Sequence, residues 1–137
     1  MLILGKEREK QLVSLRLSEP MMRLARGEGS IVHEELEYCC RPLAYSLEPE
    51  DFCPPGLNLV PLWEGNSSIT GVRISRAGTT FVRYEVEDLN DVREIGTTEI
   101  ELWVHLFGRD VDEDLAPQVA EALQLDEREE IIRLAYV

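Results

Sequence analysis

The nucleophiles and bases available to this chain are few. Its histidines are His33 and His105, and its cysteines are Cys39, Cys40 and Cys53. A thiolate nucleophile needs a base within hydrogen-bond reach and a further group that orients the base. His33 precedes Cys39 by six residues, which makes a Cys–His pair conceivable. No nucleophile signature or orienting partner accompanies the pair, and a packed thiol beside an exposed imidazole explains the same residues. His105 reads as an exposed imidazole on the polar side of its helix. A zinc site built from His33, Cys39, Cys40 and Cys53 lacks the C-x-x-C spacing that brings two thiolates to one ion. Gly27-Glu28-Gly29-Ser30 lacks the later glycine and the lysine of a phosphate loop, and its glutamate would repel phosphate. Asp110, Asp112, Asp114, Gln118 and Glu121 match the ligand types of a calcium loop. Leu115, however, stands where the sharp turn needs glycine, and Pro117 follows two places later. Acids favoured at a helix start by the helix dipole account for Asp112 to Asp114 equally well. The expectation is no catalytic residue, no metal and no cofactor.

Charge is the more informative signal. The chain has 137 residues and a net charge of −13. Between Glu85 and Glu130 there are 16 acidic residues, opposed only by Arg93, Arg109 and Arg128, while the rest of the chain balances. The whole excess therefore sits in one stretch. Such a stretch is either a solvated face that maintains solubility or a docking surface that steers a basic partner by complementary charge. Direct nucleic-acid binding is disfavoured, because phosphates would be repelled. The docking reading places partner contacts on Glu85, Glu87, Asp88, Asp91, Asp110, Asp112, Glu113 and Asp114. Trp63 and Trp103 could also anchor a partner, although Trp103 falls within an apolar stripe and reads as core.

The elements that must position these groups fit one domain. No apolar run is long enough to span a membrane, and no secretory leader is visible at the start. An odd cysteine count with two adjacent thiols suits a reducing compartment, so the expected location is cytoplasmic. Glu7 to Leu17 reads as a helix. Ser18-Glu19-Pro20 starts a second, with serine as N-cap and proline in the first turn, and Gly27 closes it. Residues 28–56 read as loops, with a short strand near Leu36 to Cys40. Leu57 to Trp63 is a candidate strand, and Pro61 places it at an edge. Ser68 to Ser75 and Thr79 to Glu87 form a hairpin. A three-residue loop at Arg76-Ala77-Gly78 would pair Val72 with Val82 and leave Arg73, Phe81, Arg83, Glu85 and Glu87 on a wet face. Thr98 and Glu101 resemble a capping box, predicting a helix from Glu99 to Phe107 that Gly108 ends. Its stripe of Ile100, Leu102, Trp103, Val104, Leu106 and Phe107 is too wide for one buried side, so the helix needs two covers. Asp114 to Leu125 and a last helix through Leu134, with Ile131, Leu134 and Ala135 inward, are candidates for the second cover.

Pro61-Leu62-Trp63-Glu64-Gly65, Ser68-Ile69-Thr70-Gly71-Val72, residues 78–88 and residues 94–107 together resemble the SUKH superfamily. That group includes the yeast cell-wall-synthesis regulators and many bacterial immunity proteins of polymorphic toxin systems. The shared pattern is a strand bearing Trp and Gly, a hairpin with an Ile-x-Gly element, and a strand ending in acid before a capped helix. It covers Leu59 to Phe107, roughly a third of the chain, and leaves 1–56 as a divergent N-terminal part of one domain over 1–137. The resemblance implies an α+β fold, a central antiparallel sheet flanked by helices, and no catalysis. It implies a protein partner, either a cognate toxin that the chain neutralises or a cellular protein that it regulates. Many such toxins are nucleases with basic clefts, which the acidic stretch would suit.

Overall fold

The computed structural model describes residues 6–42, 58–85 and 87–137. Four strands, β1 (Leu59–Gly65), β2 (Ser68–Ser75), β3 (Gly78–Glu85) and β4 (Asp88–Gly96), form an antiparallel sheet in sequence order. Six helices accompany it among the described residues: α1 (Lys6–Ser14), α2 (Glu19–Ala25), α3 (Gly29–Val32), α4 (Glu99–Asp110), α5 (Ala116–Leu123) and α6 (Arg128–Ala135). The fold is α+β, as expected. Cys53 and the later part of the expected loop region, residues 43–56, lie outside the described residues.

The opening helix stops at Ser14, short of the expected Leu17, because the chain turns through Arg16 in a left-handed conformation (φ 54°). Ser18 caps α2 and accepts from the Met21 amide, and Gly27 follows the helix at φ 85°. No strand forms between Leu36 and Cys40. Those residues follow a 3-10 turn at Glu34–Leu36, and only Arg41 bridges to Glu64 of β1. Pro61 lies on an edge strand, and the register slips between Pro61 and Trp63. That is where a residue without an N–H is tolerated.

The β2–β3 hairpin corrects the expected register. Ser75 pairs with Gly78, leaving a two-residue loop at Arg76-Ala77, so Val72 faces Phe81 and Gly71 faces Val82. Directly paired residues share a face. Val60, Val72 and Phe81 form one row on the core side, and Trp63, Thr70, Arg83 and Arg93 form the next. Ile69, Val82 and Tyr84 are on the opposite face and are also buried. The expected wet face is therefore wrong for Phe81 and Arg83, which are only 6% and 7% exposed. Both sides of the sheet are covered, so hydrophobic alternation carries no register information here. β4 was not anticipated as a strand. It is an edge strand rich in charge, a common way of protecting an open edge.

α4 begins with the expected capping box: Thr98 accepts from the Glu101 amide, and the Glu101 carboxylate accepts from the Thr98 amide. It packs on β4 on one side and α6 on the other, so it has the two covers its wide apolar stripe required. Leu102, Trp103, Leu106 and Phe107 are buried. Gly108 does not end the helix, which runs on to Asp110. Its role is close approach: a Cβ there would lie 2.7 Å from the Ala135 carbonyl oxygen of α6. Tyr136 strengthens the same contact by aiming its hydroxyl at the Phe107 and Val111 carbonyls (3.0 and 2.9 Å). Within α6, Ile131 is buried but Leu134 is exposed, contrary to expectation.

Candidate functional site

The β1–β2 turn is Asn66-Ser67, both residues left-handed (φ 51° and 68°), as a two-residue hairpin of primed type requires. Gly65, Ser68, Glu85 and Asp88 stand in one row across the sheet, so the β1–β2 and β3–β4 turns share one end. The C-terminal end of α4 comes to that same end, where Asp110 accepts a hydrogen bond from the Asn66 side chain (3.2 Å). Asp112 then caps the 3-10 turn Glu113–Leu115 by accepting from the Asp114 amide (2.9 Å). The supposed calcium-loop residues are thus a helix entry, with Pro117 in the first turn of α5.

This topology brings together carboxylates far apart in sequence. Glu87, Asp88 and Asp91 are exposed and Glu85 is half-buried at the hairpin end. Asp112, Glu113 and Asp114 are exposed and Asp110 is half-buried beyond α4. Glu35 joins the second group, accepting from the Asp112 amide (3.2 Å). Nothing in the local pattern around Glu35 indicated this. Of the eight carboxylates expected to bind a partner, only two make ion pairs among the described residues: Asp91 with Arg93 (3.4 Å) and Asp110 with Arg109 (3.9 Å). Two of the opening segment's arginines pair elsewhere, Arg23 with Glu28 and Arg26 with Glu9.

Set among these acids is a group that sequence reasoning missed. A cleft of about 160 Å³ is lined by Arg83, Arg93, Arg109 and His105, together with Glu85, Asp91 and Glu94. Arg83 and Arg93 are cross-strand partners. His105 and Arg109 are one helical turn apart on α4 and so share a face. His105 is not the exposed imidazole expected. It is half-buried, and its Nε2 is shut off from solvent with no hydrogen-bond partner among the described residues. Burial, with help from Arg83 and Arg109, lowers its pKa, against a smaller opposing effect of Asp110. Burial and the nearby Arg109 likewise lower that of Arg83, against smaller opposing effects of Asp110 and Glu85. The Arg83 guanidinium donates from Nε to Ser68 Oγ (2.8 Å) and makes no ion pair among the described residues. Removing such a group from water costs several kcal/mol, whereas one charge-assisted hydrogen bond contributes about 1.5–3 kcal/mol. Asp110 and Glu85 offset part of that cost without forming an ion pair with Arg83 among the described residues.

Among the described residues the thiols form no such centre. Cys39 and Cys40 are buried with their sulfurs 3.7 Å apart, and burial raises the Cys40 pKa well above the ordinary thiol range. His33 does not serve a thiol; its Nδ1 accepts from the Glu35 amide (3.0 Å) and caps the 3-10 turn. A larger cleft of about 360 Å³ opens between the starts of α2 and α4 and the α5–α6 turn, with Ile100, Trp103 and Leu125 in its lining. Two of its polar groups engage each other, Glu99 accepting from both the amide (2.9 Å) and the hydroxyl of Ser18. Among the described residues no helix is long and apolar enough to cross a membrane. No family model, curated protein or solved structure matches this chain.

Proposed function

We propose that this chain is a non-catalytic protein-binding module of the SUKH type, an immunity protein that neutralises a cognate toxin through its acidic end. The observation that carries the reading is convergence. Two hairpin turns and the end of α4 bring eight carboxylates to one end of the molecule, and six of them have no ion pair among the described residues. Unpaired exposed carboxylates gathered at one end steer a basic surface and accelerate its association. A nuclease's basic cleft is such a surface, and a chain of net charge −13 blocks it without itself engaging nucleic acid.

The test uses the full chain and a nuclease-type toxin domain with a basic cleft, sought first among the products of neighbouring genes. Affinity measured by calorimetry should fall steeply as salt rises from about 50 to 500 mM, since exposed charges are screened over roughly 10 Å or less in that range. Replacing Glu87, Asp88, Asp112 and Glu113 together by lysine should weaken binding at least about tenfold. Affinity indifferent to both salt and charge reversal would overturn electrostatic docking.

A further inference from the structure

We propose that the cleft between β3, β4 and α4 is a binding site for a single phosphate group, held by the guanidinium groups of Arg83, Arg93 and Arg109 beside the His105 imidazole. This cleft borders the acidic docking surface and shares Glu85 and Asp91 with it, but its test does not rest on that reading. Like charges directly opposite across a sheet are destabilising, yet Arg83 and Arg93 are paired in register with Arg109 lining the same cleft. The local acids offset only part of this. Asp91 reaches Arg93, Asp110 reaches Arg109, and Glu94 turns away to Arg73. Glu85 and Arg83 make no ion pair among the described residues. Arg83 is thus the one of the three guanidinium groups without an ion pair among the described residues, with Asp110 and Glu85 near enough to favour its charge, and the buried His105 Nε2 has no hydrogen-bond partner there.

The donors come from two strands and a helix, so they reach the cleft from separate elements. A planar carboxylate matches a single guanidinium fork, whereas a tetrahedral phosphate offers acceptors in several directions at once. The volume, about 160 Å³, lies below the roughly 300–1,000 Å³ of pockets that enclose drug-sized ligands. It suits one phosphate, free or as the end of a monoester. A bound dianion would also reverse the electrostatics at His105. That ring now faces Arg83 from β3 and Arg109 and Asp110 from its own helix, with Arg93, Glu85, Asp91 and Glu94 lining the same cleft. Binding should therefore raise its titration midpoint and favour the protonated ring.

The experiment is an NMR titration of the isotope-labelled full chain at fixed ionic strength, with inorganic phosphate, O-phosphoserine and acetate in parallel. Saturable shifts of the His105 ring below about 10 mM phosphate or phosphoserine are expected, corresponding to ordinary weak binding. Arg93→Gln and Arg109→Gln alter exposed ends of the cluster and should each weaken binding about tenfold while the amide spectrum stays folded. Tighter binding of phosphoserine would assign a monoester as the ligand, and tighter binding of phosphate the free ion. Equal response to acetate, no saturation with either phosphate, or unchanged affinity in both variants would overturn the site.

Discussion

At the scale of single residues, the hydrogen bonds that close α4 at its two ends are the most exposed to test. Thr98→Ala removes the cap at its start and should cost about 1 kcal/mol in urea unfolding. Glu101 completes that cap; its hydrogen bond from the Thr98 side chain, followed by that from the Thr97 amide, holds its pKa below the usual glutamate value. A depressed carboxylate stabilises the fold above its unfolded pKa, and the contribution is lost as pH falls through the folded value. The acid limb of the stability profile should therefore be shallower in Thr98→Ala than in the parent, and an identical limb would contradict the cap. At the other end, burial raises the Tyr136 pKa to about 12, with Glu113 and Asp112 adding to it. Its stabilising effect is complete below the unfolded value near 10 and disappears as pH rises toward about 12. Tyr136→Phe should cost about 1 kcal/mol near neutral pH and abolish that alkaline loss, as followed by circular dichroism. The capping pair was legible in the sequence because its spacing is local. The Tyr136 contact was not, because its acceptors lie 25 and 29 residues away.

Between elements, backbone proximity decides which substitutions the fold accepts. A Cβ at Gly65 would stand 2.3 Å from the Cys39 carbonyl oxygen, where β1 is crossed by the segment leading to Arg41. Gly65→Ala should destabilise by about 1–3 kcal/mol, since backbone must shift on one side or the other. A melting temperature equal to the parent's would mean that the crossing is looser than the geometry indicates. Gly108 poses the same question within a helix. Alanine is intrinsically better there by about 1 kcal/mol, and its loss of stability would show that contact with α6 outweighs propensity. The helices around Glu99 and Ala116 and the edge position of Pro61 were readable, because caps, proline and glycine act through neighbouring residues. The hairpin register was misread because the sheet is buried on both sides. β4 was missed because Asp88, Asp91, Arg93 and Glu94 conceal its alternation.

On the scale of the whole molecule, the charge balance governs both stability and association. Self-repulsion opposes compaction, so added salt should raise the melting temperature by about 2–4 °C while weakening a basic partner's binding. Differential scanning calorimetry checks the first effect, and a fall in melting temperature would mean that the paired charges outweigh the repelling ones. The sequence by itself determined the segregation of acidic charge, the capped apolar helix, the edge strand and the α+β class. Each depends on composition or on residues within a turn or two of one another. Only the tertiary structure decided that the acids of two distant segments meet at one end of the sheet. It alone placed Arg83, Arg93, His105 and Arg109 around one cleft. That convergence depends on strand register and on the way α4 lies across β4, and both are set by long-range packing that no local spacing encodes.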